Sequence, residues 1–130
     1  MNKTEAQCYD FIIALARELE ADFATQYETM EAFARWNLPE EIALEWLDAE
    51  GMLQTIKMLQ YRSQEEIALI ELIMRNFDTA FQQTQNPVWT YSAMQNDVFW
   101  HQQRHLARKL IDMAENRNPI LRLGTGQEIE

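Results

Sequence analysis

Two pairs of acids have the residue types and the spacing best suited to chemistry. Glu28 and Glu31 stand three residues apart, and Glu45 and Asp48 repeat that spacing after thirteen intervening residues. Side chains three apart share one helix face. Two such pairs on facing antiparallel helices can cage one or two Mg²⁺ ions, a hard cation that takes oxygen ligands. Carboxylate-held Mg²⁺ can orient a triphosphate and activate water. The two pairs differ in setting. By helical periodicity Glu45 falls among Ile42, Ala49, Met52 and Ile56, on an apolar face where an unpaired carboxylate is costly. Glu28 points away from the apolar stripe of its own segment, and Glu31 lies on the flank. The four acids converge only if the first helix bends.

The same region supports a different use. From Glu18 to Glu50 the chain holds ten acids against one base, Arg35. Glu40, Glu41, Glu45, Asp48 and Glu50 are its dense end, with Trp36 and Trp46 as nearby aromatic anchors. Carboxylates on a rigid surface steer a basic partner and set specificity. Aromatics are enriched where interfaces bind most strongly, although both tryptophans also suit a core.

Other constellations say less. His101 and His105, at i and i+4, face one side and can hold a metal. The metalloprotease motif, however, needs glutamate after the first histidine as general base, and Gln102 stands there. A solvated face with Asp97–His101 and Arg108–Asp112 pairs is the expected arrangement. Cys8 has no second cysteine to bridge to and reads as a small apolar core residue. Three glycines leave no glycine-rich phosphate loop. One cysteine and two clustered histidines do not supply the four ligands of a structural zinc site. No Glu-x-x-His occurs, so the di-iron bundle pattern is missing.

The context of the acid pairs, Glu31-Ala32-Phe33 followed by Pro39-Glu40-Glu41-Ile42-Ala43-Leu44-Glu45-Trp46-Leu47-Asp48, resembles the metal-binding motif of MazG-like all-α nucleoside triphosphate pyrophosphohydrolases. The resemblance covers residues 28–48. It implies an oligomeric enzyme that cleaves nucleoside triphosphates to monophosphates and pyrophosphate, with Mg²⁺ on Glu28, Glu31, Glu45 and Asp48. The chain departs from the pattern at Tyr27, where the family usually has a further glutamate. It departs again at Glu50 and Gly51, where the family usually stays apolar.

The elements that must position these residues are helical. Pro39, Pro87 and Pro119 punctuate the chain, and no alternation long enough for a sheet is present. Thr4 is a plausible cap for a first block reaching Trp36, with Cys8, Ile12, Leu15, Leu19, Phe23, Met30 and Phe33 on one face. That block either bends near Ala21–Thr25 or extends into a partner. A second block follows Pro39 to about Tyr61, with Ile42, Trp46, Ala49, Leu53 and Ile56 as its stripe and Gly51 as the expected bend or close contact. Ser63 and Glu66 form a capping box for a third helix over about 64–84. Its apolar residues, including Ile67, Ile70, Ile73, Met74, Phe77 and Phe81, leave little polar face. Ser92 is the expected cap of a last helix over 93–116, with Gln95, Phe99, Leu106, Leu110 and Met113 facing one way.

These readings add up to an all-α protein, an antiparallel four-helix bundle. One domain is expected over residues 1–118, with a loosely ordered tail over 119–130. Net charge is −10, and residues 1–78 carry all of it: 16 acids against 6 bases, while residues 79–130 carry five of each. Such a field disfavours nucleic acid and membrane surfaces. With no basic patch and apolar run at Met1–Glu5, no signal peptide is expected, and the location expected is cytoplasmic. The leading expectation is a non-catalytic acidic interaction protein without a cofactor, of the inhibitor, immunity or phage-encoded anti-defence type, that binds a basic protein surface. The Mg²⁺-dependent pyrophosphohydrolase is the second. A homo-oligomeric scaffold, dimerising through residues 67–81, is the third.

Overall fold

The computed structural model describes residues 4–30, 38–58, 63–83 and 85–124, and these are helical almost throughout, with no strand among them. The helices are α1 (Glu5–Glu20), α2 (Phe23–Met30), α3 (Leu38–Asp48), α4 (Glu50–Met58), α5 (Gln64–Gln82), α6 (Tyr91–Asn96) and α7 (Val98–Gly124). A 3₁₀ turn at Pro87–Trp89 precedes α6. Both expected caps form. The Thr4 hydroxyl accepts from the Gln7 amide at 3.1 Å while the Gln7 side chain accepts from the Thr4 amide at 2.9 Å. Ser63 and Glu66 make the same reciprocal pair, each satisfying amides that a helix start leaves orphaned.

Of the two alternatives for the first block, a bend near Ala21–Thr25 or extension into a partner, the structure shows the bend. Ala21 is extended, with ψ 153°, and the Asp22 carboxylate accepts from the Thr25 amide at 2.8 Å to start α2. The bend is clamped by buried polar groups. Gln26, 1% exposed, donates to the Glu18 and Leu19 carbonyls at the end of α1. Arg104 of α7 donates to the Ala21 carbonyl, the Gln26 amide oxygen and the Met94 carbonyl. A planar fork suits three acceptors at once. Arg104 is half-buried, and burial lowers its pKa from the ordinary arginine range.

The second block also bends, at Ala49 rather than at Gly51. Ala49 is buried, whereas a side chain at Gly51 would meet nothing within 4 Å, so no close helix contact explains the glycine. In the last block Thr90, not Ser92, caps α6, its hydroxyl accepting from the Ala93 amide. The chain then breaks at Asp97, whose carboxylate accepts from the Phe99 amide at 2.8 Å as α7 begins. The α7 helix continues past Asn118-Pro119 to Gly124, beyond the expected end near 116; residues 125–130 lie outside the described ones.

The core is built where α1 packs on α7 and α4, and where α5 packs on α7 and α3. Ile12, Leu19, Trp46, Ile56, Phe77, Trp100 and Leu110 are among its fully buried side chains, and Cys8 lies within it. The inner face of α7 is Trp100, Gln103, Ala107, Leu110, Ile111 and Ala114. At 100° per residue it is rotated by roughly 80° from the expected Phe99–Leu106–Leu110 face. Trp100 sets this orientation: its indole N–H donates to the Val88 carbonyl at 2.8 Å, and its ring meets Phe77 and Phe99. Ile70, Ile73, Met74 and Phe77 of α5 are buried within the chain, which accounts for most of its apolar girth without a second copy. No helix among the described residues is long and apolar enough to cross a membrane.

Candidate acidic interface

Helix α3 carries the acid-rich face. Pro39 sits in its first turn, where the missing N–H leaves nothing unpaired, and Glu40 and Glu41 follow at the positive end of the helix dipole. Leu38, Pro39, Ile42, Ala43 and Trp46 turn inward. Glu41, Glu45 and Asp48, spaced four and three apart, therefore fall within about 60° of one another on the outer side. Glu50, exposed, continues the acids at the start of α4.

Glu45 is exposed at the edge of this face rather than embedded in an apolar one. The helix is interrupted at Ala49, where α3 ends and α4, with Met52 and Ile56, begins. A group that the spacing did not reveal reaches Glu45 instead. Helix α1 packs on α3 and brings the Glu18 carboxyl beside that of Glu45. Two carboxylates this close disfavour each other's ionised form. Glu45 is pushed up to about 7 by burial first, then by the neighbouring Glu18 and by the charges of Glu41 and Asp48. Burial also raises Glu18, and its contact with Glu45 opposes that rise.

No cation among the described residues neutralises the cluster. The ion pairs there are Arg17–Glu115, Lys57–Glu71, Arg108–Glu20 and Arg108–Asp112, at 2.7–3.3 Å. The expected Arg108–Asp112 pair is thus present, while the Asp97 carboxylate is engaged with the Phe99 amide rather than paired with His101. Beside the acids, a groove of about 460 Å³ runs between α3–α4 and α5, lined by Leu47, Glu50, Met74, Arg75 and Asp78. Its walls offer apolar surface next to carboxylates.

The remaining predicted residues fall elsewhere. Trp46 is 1% exposed. It belongs to the core with Ile42 and Ala43 and has no surface with which to anchor a partner, which corrects its assignment as an interface residue. Its indole N–H has no hydrogen-bond partner among the described residues. Trp36 and Glu31 lie outside the described residues. Glu28 is exposed on α2 and is not among the charges that act on Glu45. Among the described residues no group of three or more histidine, cysteine, aspartate or glutamate side chains is disposed to hold a metal ion. Glu18, which no motif singled out, is the acid that meets Glu45. Compared with protein-family models, with curated proteins and with solved structures, the chain matches none.

Proposed function

We propose that this chain is a non-catalytic interaction protein, of the inhibitor, immunity or anti-defence kind, and that its α3–α4 face binds a basic protein surface. The observation that supports this reading is the convergence of Glu18, Glu41, Glu45 and Asp48 with no neutralising base among the described residues. Like charges held together raise one another's energy, and a partner's lysines and arginines relieve that cost on binding. The neighbouring groove fits the recognition of long basic side chains: their stems can lie on Leu47 and Met74 while their heads meet Glu50 and Asp78. An antiparallel four-helix bundle is the architecture we assign to the rigid support.

The test compares the native chain with a Glu41→Gln/Glu45→Gln/Asp48→Asn variant, each immobilised and challenged with the same cell extract. The expected result is a basic protein retained by the native chain, released as salt rises, and not retained by the variant. Equal retention by both chains overturns the reading.

A Mg²⁺-dependent pyrophosphohydrolase is the competing proposal. The proximity of uncompensated carboxylates favours it, since a divalent cation neutralises them as well as a basic surface does. It requires Glu28 and Glu31 to join Glu45 and Asp48; Glu28 is not among the charges that act on Glu45, Glu31 lies outside the described residues, and no catalytic step is derived from it.

A further inference from the structure

His101 and His105 lie one helical turn apart on the exposed side of α7. Both line a groove of about 470 Å³ between α7 and α5, whose other walls are Leu72, Asn76, Val98, Gln102 and Leu106. The acid expected to pair with His101, Asp97, is engaged with the Phe99 amide. Neither imidazole makes a hydrogen bond or an ion pair among the described residues.

We propose that His101 and His105 are half of a transition-metal site, completed by the same two residues of a second copy of this chain. An ion of the Zn²⁺ class then joins two chains across this groove. Side chains at i and i+4 have Cβ atoms about 5–6 Å apart, which lets both rings approach one ion at the roughly 2.0–2.1 Å of a Zn–N bond. Imidazole is a preferred ligand of such ions, whereas the carboxylate face on α3 suits harder cations. Two ligands fill half of a tetrahedron, and no third candidate lies with them among the described residues. A two-fold axis through the metal supplies the other two, because a symmetric interface presents the same patch twice.

The surroundings favour a second copy of the same chain. Val98 is 64% exposed, and Leu72 and Leu106 are half-buried at the groove, so its rim is apolar and gains by being covered. Charge permits it as well: among the side chains that line the groove only the two histidines can carry charge, so two copies meeting there set no acids of the groove against each other.

The experiment uses the full chain, stripped with chelator and titrated with ZnCl₂ at near-neutral pH and physiological salt. Calorimetry reads the stoichiometry and sedimentation equilibrium reads the mass. The expected result is half an equivalent of Zn²⁺ per chain together with a doubled mass. Both are lost in His101→Ala and in His105→Ala and kept in the Glu41→Gln/Glu45→Gln/Asp48→Asn variant. Both histidines are exposed, so the alanine variants are expected to melt like the native chain without metal. Binding that survives the loss of both histidines overturns the proposal, as does one ion per chain at unchanged mass, or no binding at all.

Discussion

Glu45 and Glu66 show how differently two carboxyls are treated by one fold. Glu66 is fully buried, yet it accepts from the Tyr9 hydroxyl at 2.6 Å and from the Ser63 hydroxyl and amide at 2.9 and 3.2 Å. Donors to a buried carboxylate replace the water it has lost. Glu45 is less buried, but it meets another acid instead of a donor and is pushed up to about 7 from an ordinary 4.5. Between those values the folded chain holds a proton that the unfolded chain releases, so this group's contribution to stability falls as pH rises from 4.5 to 7. Glu45→Gln cannot ionise and still offers an N–H to Glu18. The variant is expected to melt with the native chain below pH 4.5 and above it at pH greater than 7. The gain should be on the order of 1 kcal/mol, reduced from the full linkage value because solvent screens an exposed group. Thermal melts across that range decide it; a midpoint that stays level above pH 7 would mean that burial and Glu18 do not hold Glu45 neutral.

At the scale of the helices, two of the breaks have a local cause in a capping aspartate, and the first has a tertiary clamp as well. Asp22 and Asp97 cap the segments that follow them, and Gln26 with Arg104 holds the first break in place. The break at Ala49 separates the acids of α3 from Met52 and Ile56. Gly51 takes no part in this bend. It is exposed, helical and open around its Cα. Gly51→Ala is therefore expected to stabilise the chain by up to about 1 kcal/mol, the helix-propensity difference between the two residues. Chemical denaturation at equilibrium measures it. A loss of stability would show that Gly51 has a conformational duty that its surroundings do not reveal. The caps at Thr4 and Ser63 and the apolar position of Cys8 were legible in the sequence because each depends on residues within a turn or two, whereas the bend near Ala21 was one of two open alternatives until Gln26 and Arg104 closed on it. The orientation of α7 was not. Several apolar positions compete to face inward, and the indole of Trp100, reaching the Val88 carbonyl and the Phe77 ring, settles the contest from other elements.

For the molecule as a whole, the uneven charge is the dominant physical fact. Among the described residues, Glu18, Glu41, Glu45 and Asp48 form an acidic cluster that no ion pair neutralises, while the bases of α7 are partly spent on Glu20, Asp112 and the bend at Ala21. If that cluster serves a basic protein, millimolar Mg²⁺ at matched ionic strength should leave the thermal midpoint unchanged, because among the described residues no three ligating side chains are disposed around one ion. If it closes on a metal, the midpoint rises by mass action, since the ion binds only the folded chain. The first outcome is the one expected here. The second would move the pyrophosphohydrolase reading ahead of the interaction protein.

Local chemistry made part of this legible in the residues alone: an all-helical chain, a cap at Thr4, a capping box at Ser63, a core position for the lone cysteine and an acidic half. These follow from side-chain periodicity, proline and cap positions, and charge, which act over a few residues. The tertiary structure alone decided which acids meet. Glu18 and Glu45 are 27 residues apart in the chain and become neighbours only because α1 packs on α3, while Glu28 is directed elsewhere by the bend. It also turned Trp46 into a core residue and Arg104 into a clamp, and left His101 and His105 side by side at an open groove. Which side chains converge depends on the rotation and crossing of whole helices, and those are fixed by the packing of surfaces far apart in sequence.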